Sequence, residues 1–60
     1  MENWSIISVQ GKRIVEWFDG KYHRLNQPSL EVRINNLEQH GYRADDEKVA
    51  LNALRASDER

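Results

Sequence analysis

Up to residue 25, apolar residues fall in short β-branched and aromatic runs split by glycine; after Pro28 they recur at helical spacing. The change of period divides the chain into a β half and an α half. Residues 4–9, Trp-Ser-Ile-Ile-Ser-Val, predict a first strand, residues 13–18 a second and residues 21–25 a third. Gln10-Gly11 and Asp19-Gly20 each suit a two-residue hairpin turn, in which positive φ is required. The three strands therefore predict an antiparallel meander.

Counting outward from two-residue turns pairs Phe18 with Lys21 and Trp17 with Tyr22, and sorts the side chains onto two faces. One face carries Trp4, Ile6, Val15, Trp17 and Tyr22, with Ser8, Arg13 and Arg24 at its margins. The other carries Ile7, Val9, Ile14, Phe18 and Leu25, crossed by a polar row of Ser5, Glu16 and His23. A half-solvated antiparallel sheet alternates between apolar and polar faces, whereas this one is apolar on both.

In the α half, Ser29 is the expected N-cap of a helix over 30–40, with Glu31 in its first turn and Leu30, Ile34 and Leu37 as its apolar stripe. Gly41 is the expected stop, in a Schellman arrangement with Tyr42. A second helix is expected over 45–56, capped by Asp45, with Asp46 and Glu47 adding negative charge to its first turn. Its stripe is Ala50, Leu51 and Leu54, with Val49, Ala53 and Ala56 aligned on a neighbouring side. The fold class is thus α+β, in the order β-β-β-α-α, within one small domain. Residues 42–44 reach only about 10 Å when extended, which suits an antiparallel helix pair on one side of the sheet. One sheet face is then left without cover. The face with Trp4, Trp17 and Tyr22 is the better candidate, because tryptophan and tyrosine are enriched at interfaces. The alternative is plain core packing of these rings.

Sixty residues without cysteine exclude a disulfide framework and thiolate zinc sites. A core of this size is marginal, so a second subunit or a docking partner is the expected extra support. Nine basic and ten acidic residues leave a net charge of −1, which indicates neither a polyanion binder nor an acidic tail. The apolar runs are too short for a membrane span. Met1-Glu2-Asn3-Trp4 lacks the basic start of a secretory leader, so the default address is cytoplasmic.

Catalytic chemistry has little to draw on. Glu16 lies across from His23 in the two-residue register, a pair that suits either acid–base work or an ordinary cross-strand contact. His40 is placed to meet the carbonyls at the end of the first helix. No nucleophile elbow, phosphate-cradling loop, metal-ligand spacing or cofactor motif is present. Lys12, Arg13, Lys21 and Arg24 with Trp17 and Tyr22 suggest nucleic acid as an alternative partner. A strand at 21–25 followed by helices from 30 and 45, with a glycine between them, resembles ribbon-helix-helix repressors in topology. That likeness implies a dimeric nucleic-acid-binding regulator, although the alanines of the second helix and the preceding hairpin depart from the family pattern.

The favoured expectation is a small non-enzymatic protein-binding module: an adaptor, inhibitor or regulatory subunit, with a second copy of itself among the candidate partners. Trp4, Trp17 and Tyr22 are its expected anchors, flanked by Ile6 and Val15, with Arg13 and Arg24 as rim charges. No metal, cofactor or small-molecule substrate is expected.

Overall fold

Two residue-level choices decide how this chain folds: where β3 sets its register, and which face of the sheet the helices take. The computed structural model describes residues 3–58; Met1 and Glu2, used above in the leader argument, lie outside them. Its elements are β1 (Trp4–Val9), β2 (Lys12–Phe18), β3 (Tyr22–Leu25), α1 (Gln27–Gln39) and α2 (Asp45–Asp58). The strands form one antiparallel sheet in the order β1-β2-β3, followed by the two helices, an α+β fold.

The first hairpin follows the expected count. Gln10 and Gly11 have φ of 53° and 78°, the pair of positive values that a type I′ turn requires. Val9 faces Lys12, Ile7 faces Ile14, Ile6 faces Val15 and Trp4 faces Trp17.

The second hairpin departs from it. The connection takes three residues, Asp19, Gly20 and Lys21, so that Phe18 pairs with Tyr22, Trp17 with His23, Glu16 with Arg24 and Val15 with Leu25. Of the two expected turn residues only Gly20 has positive φ, at 101°. A one-residue slip moves every β3 side chain to the opposite face. Leu25 and His23 turn toward the helices, and Tyr22 and Arg24 turn away. The hydrophobic pattern explains the choice: the two-residue register would place the Arg24 guanidinium under the helices and Leu25 in water.

Helix α1 starts earlier than its apolar stripe suggests. Asn26, not Ser29, is the N-cap, and its side-chain oxygen accepts from the Ser29 N–H at 2.9 Å. Pro28 sits in the first turn, where a missing N–H costs nothing. With that start Glu31 falls beyond the first turn and pairs instead with Arg55 of α2. At the other end the Tyr42 N–H donates to the Leu37 carbonyl at 2.9 Å and the Gly41 N–H to the Glu38 carbonyl at 3.0 Å. With Gly41 at φ 81° this is the expected Schellman stop. His40 donates through Nδ1 to the Asn36 carbonyl at 2.8 Å, closing the last turn. In α2 the first helical bond runs from the Lys48 N–H to the Ala44 carbonyl. Asp45 therefore lies inside the first turn rather than capping it, and its carboxylate pairs with Arg43.

The helices run antiparallel, because the start of α2 meets the end of α1 (Lys48 with Glu38) and the end of α2 meets the start of α1 (Arg55 with Glu31). Both cover the same sheet face. The core is one cluster of Val15, Trp17, Leu30, Ile34, Ala44, Ala50, Leu51 and Leu54, with Trp4, Ile6, Leu25 and Leu37 packed against it. Every sheet residue in that cluster belongs to the face carrying the two tryptophans.

Candidate functional site: the open face of the sheet

The surface expected to be open is therefore the covered one. Val15 and Trp17 are 0% and 4% exposed, and Trp4 and Ile6 are half-buried at the edge of the same core. The helices take this face because it offers the larger apolar area: two indoles, Ile6, Val15 and, through the register slip, Leu25. Tyr22 and Arg24, expected beside Trp17, lie on the opposite face and are exposed. Arg13 stays at the margin of the covered face, across from Ser8. The seven residues expected to act together are thus divided between the two sides of the sheet.

Strand alternation and the observed register place Ser5, Ile7, Val9, Lys12, Ile14, Glu16, Phe18, Tyr22 and Arg24 on the face away from the helices. None of these side chains joins the core cluster. Ile7 and Ile14 lie opposite one another and are half-buried by their neighbours alone. Phe18 and Tyr22, also opposite one another, stack with ring centroids 4.8 Å apart and planes tilted by 39°. They remain 44% and 73% exposed. Across the middle strand Glu16 meets Arg24, with Nε and Oε2 3.9 Å apart. An isoleucine pair and an aromatic pair thus flank one ion pair on a three-stranded surface.

A second constellation went unnoticed in the sequence. Arg33 of α1 lies with its guanidinium carbon 5.2 Å from the Trp17 ring centroid. Its Nε donates to Glu47 of α2 at 3.2 Å and its Nη2 to Asp19 in the β2–β3 loop at 3.3 Å. Asp19 also holds His23 Nε2 at 3.0 Å. Glu47 is 8% exposed, the buried acid of the molecule among the described residues. His23 thus pairs with Asp19, not with Glu16, which lies on the other face. The acid–base couple expected from the two-residue register is not formed, and the network that replaces it ties the second hairpin to both helices.

Partial desolvation raises the Asp19 pKa, but the hydrogen bonds and charges of Arg33 and His23 outweigh it, holding the carboxyl below its ordinary 3.8. A folded value below the unfolded one stabilises the fold above about pH 4, and that contribution is lost as pH falls through the folded value. The melting temperature of the native chain should therefore fall more steeply than that of Asp19→Asn between about pH 5 and pH 2. Parallel curves for the two proteins would remove Asp19 from the account of acid unfolding.

An open depression of about 480 Å³ lies beside the first hairpin, lined by Gly11, Lys12, Arg13, Ile14 and Asn26 to Pro28. Neither Glu16 nor His23 reaches it. The basic residues considered for nucleic acid do not converge either. Lys12 and Arg24 are on the open face, the latter paired with Glu16; Arg13 is on the covered face and Lys21 in the loop. The expected second surface on α2 holds a well-exposed Val49 at 54%, a half-buried Ala53 and an exposed Ala56. Among the described residues no helix is long and apolar enough to cross a membrane. No protein-family model, curated protein or solved structure matches the chain.

Proposed function

We propose that this chain is a small cytoplasmic protein-binding module, an adaptor, inhibitor or regulatory subunit without chemistry of its own, and that it binds through the open face of its sheet. One observation carries the reading: five apolar side chains, Ile7, Val9, Ile14, Phe18 and Tyr22, share a face that neither described helix covers. Soluble monomers rarely expose contiguous apolar patches larger than a few hundred Å², and the largest patch on a protein often serves binding. The stacked Phe18 and Tyr22 are the anchors, and the Glu16–Arg24 pair beside them supplies directional polar contacts. Of the residues expected from sequence to bind, Tyr22 and Arg24 keep that role; Trp4, Ile6, Val15 and Trp17 serve the core instead.

The test compares the native chain, the double variant Phe18→Ala/Tyr22→Ala and the control Tyr42→Ala, which removes an exposed ring elsewhere. The double variant should weaken capture of the partner by about 30-fold or more, the loss of one or two hot spots. Its far-UV circular dichroism should match the native spectrum, and Tyr42→Ala should bind as the native chain does. Equal capture by all three proteins would refute the assignment.

A further inference from the structure

The outer edge of β1 is unlike the other boundary of the sheet. With strand order β1-β2-β3, β1 and β3 are the two edges. An exposed edge is a template for another strand, and sheets commonly blunt it with charge, proline, bulges or brevity. Strand β3 has such protection: it is four residues long and carries Arg24. Strand β1 has six residues, Trp-Ser-Ile-Ile-Ser-Val, with no charge, proline or glycine among them.

Its outward hydrogen-bonding groups can be assigned. A two-residue turn makes Val9 and Lys12 a hydrogen-bonded pair. At the far end the Phe18 N–H donates to the Asn3 carbonyl at 2.7 Å, which fixes the same parity along the hairpin. Asn3, Ser5, Ile7 and Val9 therefore direct their main-chain groups toward β2. Trp4, Ile6 and Ser8 direct theirs away from the sheet, and no other described strand pairs with them.

We propose that two copies of this chain join β1 to β1 in antiparallel fashion, on a twofold axis passing through Ile6, to form one six-stranded sheet. The register follows from satisfying those outward groups. With Ile6 opposite Ile6 of the second copy, Trp4 falls opposite Ser8 and Ser8 opposite Trp4. All three outward N–H groups and all three carbonyls of each chain then find a partner, six hydrogen bonds in all. A shift by two residues leaves one outward residue of each chain unpaired. The same register sets each indole beside a serine, large against small, and meets no like charges, because the strand carries none. Trp4 and Ile6, half-buried at the edge of the core, gain cover from the second copy. The contact is isologous and closed, so it ends at a dimer. It also answers the marginal core of a 60-residue chain. The edge is distinct from the open face, so failure here leaves the protein-binding reading standing.

Sedimentation equilibrium of the native chain at micromolar concentration should give twice the monomer mass. Ser8→Pro removes an N–H that the monomer does not use and, by symmetry, two of the six hydrogen bonds. It should weaken dimerisation about tenfold or more with an unchanged far-UV spectrum. The chain has no cysteine, so single-cysteine variants read the register directly. Ile6→Cys should form a disulfide dimer under mild oxidation, since its two copies meet on the axis. Ser8→Cys should not, because its copies lie about 14 Å apart along the strands. Should Ile6→Cys not fold, the Ser8→Pro sedimentation result decides alone. A monomer at every concentration, open-ended assemblies in place of a dimer, or cross-linking through Ser8→Cys would each overturn the proposal.

Discussion

Trp17→Ala should leave the chain largely unfolded rather than merely unable to bind. Trp17 is 4% exposed and belongs to the hydrophobic core cluster of the described residues, on the covered face with Val15. Truncating a buried tryptophan to alanine costs about 3–5 kcal/mol, and a core of this size supplies only about 3–5 kcal/mol in total. The loss is therefore comparable with the whole stability. Arg33 also loses the ring over which its guanidinium lies. Circular dichroism at 25 °C should show the helical signal mostly gone, and the emission of the remaining Trp4 should shift to that of a solvated indole. Phe18→Ala, across the sheet at 44% exposure, should retain the native spectrum and most of the native stability. If Trp17→Ala melts like the native chain, the helices do not pack on this face.

The contrast between those two aromatic residues shows how much of the fold is legible in the sequence. Element order, the first hairpin and the Schellman stop at Gly41 follow from local chemistry, because each is fixed by residues adjacent in the chain. The register of β3 is not local. Asp19-Gly20 suits a two-residue turn, but Asp19 is held instead by His23 within the hairpin and by Arg33, a contact that exists only once α1 has docked. Burial of Leu25 under the helices favours the same slip. Tertiary packing and one ion-paired carboxylate together outweigh the turn preference, and a single residue of slip exchanges Tyr22 and Arg24 for His23 and Leu25.

Both halves of the candidate site turn on the same point. That the sheet is apolar above and below, and that two short helices cover only one side, follows from composition and from the short 42–44 link. Which side they cover does not follow from the enrichment of tryptophan at interfaces, because a docking helix and a docking protein select for the same buried area. The helices belong to the chain and are always present, so they occupy the richer face; Ile7, Ile14, Phe18 and Tyr22 are what remains. The Asp19–Arg33–Glu47 network was invisible for a different reason. Its members come from a loop and two helices, fourteen residues apart at each step, and no local spacing rule brings them together.

That network supports the second large effect. Arg33→Met should destabilise the protein by about 3 kcal/mol, because it leaves the Glu47 carboxylate nearly buried with no cation beside it. The companion Glu47→Met leaves Arg33 less exposed to penalty, since its side chain is 27% exposed and keeps Asp19; it should cost about 1 kcal/mol. The double variant Arg33→Met/Glu47→Met replaces the pair with apolar side chains of similar volume, and such replacements are commonly neutral or stabilising. It should therefore recover most of the loss, giving a coupling energy of about 2 kcal/mol or more between the two positions. Urea midpoints for the four proteins of the cycle provide the measurement, with slopes compared to confirm that one transition is followed throughout. Additive losses would mean that Arg33 acts mainly as a cover for Trp17, and that the ion pair contributes little to holding the hairpin against the helices.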